Sequence, residues 1–249
     1  MKKTTVILLL IALILLLSCC SVNAYNYADS RRYTAGAATV TGRVEKLDVS
    51  WIDGGVNIGY HSGEGVRLSE ECGWYLDEEN ELHWWLDGDT LYVKYAESGL
   101  RLSRSLNKEL TVLLPEGLAL DQLTINAVSA NVETEDVVAD VVTINTVSGD
   151  ARMDVARAKR LTANAVSGNV TLQFDRAPEK AETSTVSGNV TIALPEGAAF
   201  HADVDTVSGT VGGDLPMEKL GRGEYASGNG GCTIDVETVS GNVYLNEAK

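Results

Sequence analysis

The chain has 249 residues, 44% hydrophobic and 22% charged, which is enough apolar sequence for a packed core and fits one or two domains. Its formal charge of -15, from 20 Lys and Arg against 35 Asp and Glu, argues against a nucleic-acid partner, because neutralising phosphates needs clustered basic side chains. The acidity fits solubility or cation binding instead.

Residues 1–24 read as an export signal, with Lys2 and Lys3 ahead of an apolar stretch from Val6 to Leu17 that is too short to span a bilayer comfortably as a lone helix. Leu16-Leu17-Ser18-Cys19 resembles a bacterial lipobox, so cleavage before Cys19 is favoured and Cys19 is the expected lipid carrier. Val22-Asn23-Ala24 offers a second cleavage pattern, which would release a secreted protein starting at Tyr25. No later apolar run is long enough to cross a membrane, which places the rest of the chain outside the cytoplasm with the membrane as its partner through the N-terminal lipid. Residues 25–40 read as a short tether to the first strand.

Residues 41–109 form irregular β rungs. Ile52-Asp53-Gly54-Gly55-Val56-Asn57-Ile58 can be laid over the later phrase VSGNVTI, and LDGDTLYV (Leu86 to Val93) reads as a hairpin around an Asp-Gly turn. Residues 69–81 are acidic and read as a loop. All four tryptophans (Trp51, Trp74, Trp84, Trp85) lie in this segment together with several tyrosines. Trp84 and Trp85 are adjacent, so in a strand they point to opposite faces and at most one is core.

From residue 110 to 249 one hexapeptide recurs. The valine before each serine stands at Val128, Val147, Val166, Val186, Val207 and Val239, with spacings of 19, 19, 20, 21 and 32. Apolar and small residues alternate on both sides, as in Leu161, Ala163, Ala165 and Val170, Leu172, Phe174, so each repeat is strand, tight turn, strand. An antiparallel β-sandwich also shows frequent strands, but gives no reason for one phrase at one point of every cycle; an all-β single-chain β-solenoid with rungs of about 19–21 residues does, because equivalent residues form columns. The expected corners are Ser129, Ser148, Gly149, Ser167, Gly168, Ser187, Gly188, Ser208, Gly209, Ser240 and Gly241, with Ala130 replacing glycine in the first copy. Glycine supplies the backbone geometry, serine bonds to nearby backbone, and the following Asn or Asp is expected to tolerate a left-handed conformation. The valines point outward by parity. The long last interval carries a Gly-rich insertion expected as a loop on one side, with VETVSGNVYL as the closing rung.

These serial TVSGNV phrases with strands on both sides resemble the bacterial adhesin-like beta-strand-repeat domain of the DUF4097 type, most strongly from Leu110 to Leu245. The phrases YTAG, LDVSWIDGGVNI and LHWWLDGDTLYVKY look like those of its lipoprotein members. The resemblance implies a β-repeat fold in an envelope protein, and little about activity.

No serine copy has a base beside it, and no hydrolase, phosphate-loop or dinucleotide motif occurs, so neither catalytic residues nor a cofactor are expected. His61, His83 and His201 lie far apart without metal-ligand spacing, and the carboxylate clusters supply two or three ligands where calcium takes six to eight. Cys72 and Cys232 are either a disulfide or two separate thiols. The aromatic segment either caps the open end of the stack or offers Trp74, Trp84 and Trp85 to a glycan, an envelope protein or a host protein. The leading expectation is a non-enzymatic, lipid-anchored surface protein with a binding or adhesion role; a regulatory module for a membrane signalling protein comes second and a cell-wall glycan hydrolase third.

Overall fold

The computed structural model describes residues 25–99 and 105–248, so residues 1–24, with the expected export signal and Cys19, lie outside the described residues. After a single 3-10 turn at Ser30–Arg32, the chain forms β1 (Thr34–Ala35), β2 (Ala38–Val40), β3 (Lys46–His61), β4 (Val66–Glu71), β5 (His83–Asp87), β6 (Thr90–Lys94) and β7 (Lys108–Pro115). The repeat region follows as β8 (Leu120–Ser148), β9 (Ala151–Arg157), β10 (Arg160–Ser167), β11 (Val170–Phe174), β12 (Lys180–Ser187), β13 (Val190–Leu194), β14 (Phe200–Ser208) and β15 (Val211–Gly212). The last elements are β16 (Glu218–Lys219), β17 (Glu224–Ser227), β18 (Cys232–Ser240) and β19 (Val243–Glu247).

Pairing through the repeats is parallel and in phase. β10 pairs β8 with Ser148 opposite Ser167, and pairs β12 with Ser167 opposite Ser187; after the corner, β11 lies between β9 and β13. A sandwich would pair these strands antiparallel, so the alternation resolves as the expected solenoid. Inward positions fall into columns, for instance Val132, Ala151, Val170, Val190 and Val243, all buried, and this continuous apolar interior is the core. The laid-over phrase in β3 also takes its expected register, with Asp53 opposite Ser129 and Gly54 opposite Ala130.

Two kinds of residue hold the corner. A Cβ on Gly168 would stand 2.2 Å from the carbonyl oxygen of Gly149, and one on Gly188 would stand 1.9 Å from that of Gly168, so the corners stack backbone on backbone. Both also have φ near 150°, which L side chains rarely adopt. The following Asn or Asp does something other than expected. None of these residues has a positive φ; instead each side-chain oxygen accepts the backbone N–H of its counterpart one rung on, from Asn131 to Asp150 (3.0 Å), Asp150 to Asn169 (2.7 Å), Asn169 to Asn189 (3.1 Å) and Asn189 to Asn242 (2.9 Å).

The spatial order of the rungs departs from chain order at both ends. β18 and β19 insert between β12–β13 and β14–β15, with Ser187 opposite Ser240 and Ser240 opposite Ser208. VETVSGNVYL is therefore the penultimate rung, and TVSGTV at Thr206 is the terminal one. At the other end β3, first of the long strands in sequence, lies between β8 and the shorter strands β6 and β7. Both chain-terminal rungs are thereby hydrogen-bonded on two sides.

Each end of the stack is then closed by antiparallel strands. β5 and β1 extend outward from β6, and β4 and β2 from β7. Residues 25–40 are thus a working part of the cap instead of a tether: besides β1 and β2, the Tyr27 hydroxyl donates to the Ala96 carbonyl at 3.1 Å and the Gly99 N–H to the Tyr25 carbonyl at 2.6 Å. The acidic segment 69–81 is strand as far as Glu71 and only then a loop. The Gly-rich insertion is not a passive loop either. β17 pairs antiparallel with β14 from Phe200 to Asp203, covering part of an edge that would otherwise present unpaired backbone. Cys72 lies in the cap and Cys232 in the penultimate rung, both as free thiols, which settles the pairing alternative.

Candidate functional site at the aromatic end

β5 and β6 form the expected hairpin around Asp87-Gly88-Asp89-Thr90, and its register places Trp85 opposite Tyr92 and Trp84 opposite Val93. Strand alternation sends each tryptophan to a different side. Trp84 turns inward and packs, half-buried, against the core. Trp85 turns to the opposite side, where it is likewise half-buried, and stacks on Tyr92, with ring centroids 5.8 Å apart and planes 25° from parallel.

The row continues through residues that were not singled out from the sequence. Tyr33 meets Trp85 edge-on at 5.6 Å, Tyr27 meets Tyr33 at 4.8 Å, and Tyr25 meets Tyr27 at 5.4 Å. The Arg32 guanidinium lies 5.2 Å from the Trp85 ring and the Lys94 ammonium 5.6 Å from that of Tyr92, so cations flank the row. Tyr25 and Tyr27, two apart in the segment read as a tether, carried the one available signal, a period of two.

On the same outward face, neighbouring strands supply polar columns. Tyr92 is opposite Asp48, Asp48 opposite Thr124, and Thr143 opposite Thr162. Beside the threonines runs an amide ladder in which Asn145 Nδ2 donates to Asn126 Oδ1 and Asn164 Nδ2 to Asn145 Oδ1, each at 2.9 Å. Lys94 joins the two regions by bonding Asp48 and the Ser50 hydroxyl, both at 2.9 Å. The surface thus runs from stacked rings to regularly spaced hydroxyls and amides.

Trp74 stands elsewhere. It is 63% exposed on the loop between β4 and β5, beside Tyr75 at 93%. The structure therefore divides Trp74, Trp84 and Trp85 among three environments. Trp51, by contrast, is buried, its indole donating to the Lys108 carbonyl at 2.9 Å.

Beneath the cap lies a buried charge that sequence reading missed. Lys108 has no exposed side-chain surface; its ammonium is 2.7 Å from Glu70 Oε2, bonds the carbonyls of Asn80 (2.7 Å) and Tyr95, and faces the rings of Tyr95 (4.3 Å) and Trp51 (5.0 Å). Tyr95 in turn donates to Asp53. The clue was phase, since Lys108 alternates with Leu110, Val112 and Leu114 on the inward side of β7.

The six corner serines, Ser129, Ser148, Ser167, Ser187, Ser208 and Ser240, are all exposed; the last five align as one column without any being distinguished, and Ser129 lies opposite Asp53. The valine column beside them points outward as parity requires, half-covered except at Val207, which is 77% exposed on the terminal rung. His61 serves its own turn: a ring nitrogen contacts the Gly65 carbonyl at 2.9 Å, and Nδ1 accepts the Gly63 N–H at 3.0 Å. Among the described residues no group of three or more His, Cys, Asp or Glu is arranged to hold a metal ion, and no helix is long and apolar enough to cross a membrane.

Burial pushes the phenol of Tyr27 up to about 12, and it also raises Tyr33 and Tyr95, the last helped by its bond to Asp53. Ionisation is therefore harder in the folded chain than in the unfolded one. The stability contributed by keeping these phenols neutral is fully present below pH 10 and is lost as pH rises through the folded values. Melting temperature is expected to fall steeply between about pH 10 and 12 together with a tyrosinate absorbance change, and Tyr27→Phe is expected to flatten the first part of that fall. Coincident thermal and spectrophotometric titrations check this; a fall of equal slope in Tyr27→Phe would exclude Tyr27 as a contributor.

The family model described as Toastrack DUF4097 matches residues 84–246. Among solved structures, the chain is similar to one described as "a putative cell adhesion protein" from Clostridium sporogenes, with a TM-score of 0.56 and 13% identity over 86% of this chain and 99% of that one. It is also similar to "a putative adhesin" from Bacteroides fragilis, with a TM-score of 0.49 and 12% identity over 86% of this chain and 97% of that one. No curated protein matches the chain in sequence.

Proposed function

We propose that this chain, which belongs to the Toastrack DUF4097 family, is a non-enzymatic recognition protein of the cell envelope, lipid-anchored through Cys19 and facing outside the cytoplasm. It binds a glycan on the outward face that begins at Trp85. The observation that carries the reading is the stacked Trp85–Tyr92 pair, held on a rigid strand and continuous with columns of hydroxyls and amides. An aromatic face offers a sugar ring its apolar side, and regularly spaced amides and hydroxyls suit the hydroxyls of an extended saccharide. The adhesion role in the description of the Clostridium sporogenes structure of this fold supports the same direction.

The test is a screen of glycans and envelope components against the chain from Tyr25 onward, with Trp85→Ala and Trp84→Ala measured separately. Trp85→Ala is expected to weaken binding at least about tenfold, on the scale of a lost aromatic anchor, and beyond what the stability lost with its contacts to Tyr33, Tyr92 and Arg32 accounts for. Trp84→Ala is expected to cost about 2 kcal/mol of stability and to act on binding only through that loss. Equal binding by wild type and Trp85→Ala would remove the site from this face. Recovery of a single membrane protein and no glycan would favour a regulatory module over adhesion.

A further inference from the structure

The loop from Cys72 to Leu82 is firmly built, yet two large rings on it are largely exposed. Its base is fastened by Leu76 and Cys72 packing against the core, by the buried Lys108 ammonium on the Asn80 carbonyl, and by a backbone bond from Glu97 to Glu79 at 2.9 Å. Asn80 also donates its backbone N–H to the Asp77 carbonyl at 2.9 Å, which closes the turn. Between these fastenings, Trp74 is 63% exposed and Tyr75 is 93% exposed. An isolated exposed apolar residue needs no explanation, but two adjacent aromatic side chains projecting from a fixed loop mark a contact surface.

The place of the loop identifies the contact. Glu97 bonds the loop, and two residues on, Gly99 bonds Tyr25, so the loop and the point where the chain enters the fold lie at the same end of the solenoid. Only five residues separate Cys19 from Tyr25. Fully extended, that connection reaches at most about 20 Å. A lipid on Cys19 therefore holds this end of the stack close to the bilayer surface, and a tryptophan beside a tyrosine is the pair enriched at the headgroup level. Asp77, Glu78 and Glu79 follow on the same loop, so the contact is made through rings and works against an anionic surface.

We infer that Trp74 and Tyr75 are a membrane-docking element that rests the cap on a zwitterionic headgroup layer. This inference rests on the lipid-anchor reading above.

The test uses the full chain expressed in bacterial membranes and reconstituted into phosphatidylcholine vesicles whose acyl chains carry bromine near the headgroups. Flotation of wild type against Cys19→Ser reads the anchor, and bromine quenching of tryptophan emission in wild type against Trp74→Phe reads the docking. The expected result is Cys19-dependent flotation, with quenching in wild type that Trp74→Phe largely abolishes and that weakens when anionic lipid is added. Cys19-dependent flotation with equal quenching in the two chains would overturn docking and leave the anchor standing. Failure of the wild type to float would overturn both.

Discussion

Replacing Gly188 by alanine is expected to lower stability by about 3 kcal/mol or more, and Gly168→Ala by a similar amount, from the combined cost of a glycine-only backbone conformation and steric overlap. The Cβ of alanine at position 188 would stand 1.9 Å from the Gly168 carbonyl oxygen, which is backbone and cannot swing aside as a flexible side chain could. Nor can the corner give way as a unit. Asn189 is held through its N–H by the Asn169 side chain at 3.1 Å, and the Gly188 N–H donates to the Ser240 carbonyl at 3.1 Å, so each rung is tied to the one before and the one after. Displacing it would break bonds on both sides, and in a stacked array the loss passes to neighbouring interfaces. Gly197 is the control: its φ of 73° is also positive, but a Cβ there meets nothing within 4 Å. Gly197→Ala is expected to cost about 1 kcal/mol, the conformational part alone. Urea unfolding of the three variants checks the contrast, and equal losses at Gly188 and Gly197 would show that backbone stacking at the corner adds nothing.

The same corners explain which parts of the fold were legible. Alternation and the repeated phrase were sufficient for strands, turns and parallel stacking, because in a solenoid one local environment recurs and imposes one local sequence. Even the degenerate phrase at Ile52–Ile58 could be aligned, since Asp53, Gly54 and Gly55 meet the same corner constraint. Rung order was not legible from spacing, because near-identical rungs offer near-identical edges. A signal existed nonetheless. Thr210 is the copy that replaces Asn or Asp in the ladder, and both its N–H and its hydroxyl donate to Asn242 Oδ1, at 3.0 and 2.9 Å. A rung with no successor has no need of a side-chain acceptor on its far side, so the odd residue marked the end of the stack. The candidate site was legible as an aromatic cluster, and strand parity separated Trp84 from Trp85. What parity could not supply was the partnership with Tyr25, Tyr27 and Tyr33, which depends on residues 25–40 folding back across the cap.

Lys108→Met is expected to cost about 3–5 kcal/mol, the range for removing one partner of a buried ion pair. The substitution keeps length and apolar bulk, so the loss comes from what is left behind. Glu70 is 7% exposed at its side chain and would retain a buried carboxylate without its 2.7 Å partner, while the rings of Trp51 and Tyr95 lose the ammonium that faces them. Desolvation already pulls the Lys108 pKa below the usual lysine value, with the charge and hydrogen bond of Glu70 opposing that pull, so the two groups tolerate burial only together. Neutralising the second partner should accordingly repair most of the damage: in Lys108→Met with Glu70→Gln no charge is stranded, and glutamine keeps an oxygen for the Leu82 N–H that Glu70 now accepts at 2.5 Å. Recovery will be incomplete, because the Asn80 carbonyl also loses its donor. Amide exchange should therefore quicken across residues 77–82 in both variants, while melting temperature drops sharply only in the single one. A double variant as unstable as the single would mean that the lysine acts through its packing and backbone bonds, and that its charge pairing with Glu70 contributes little.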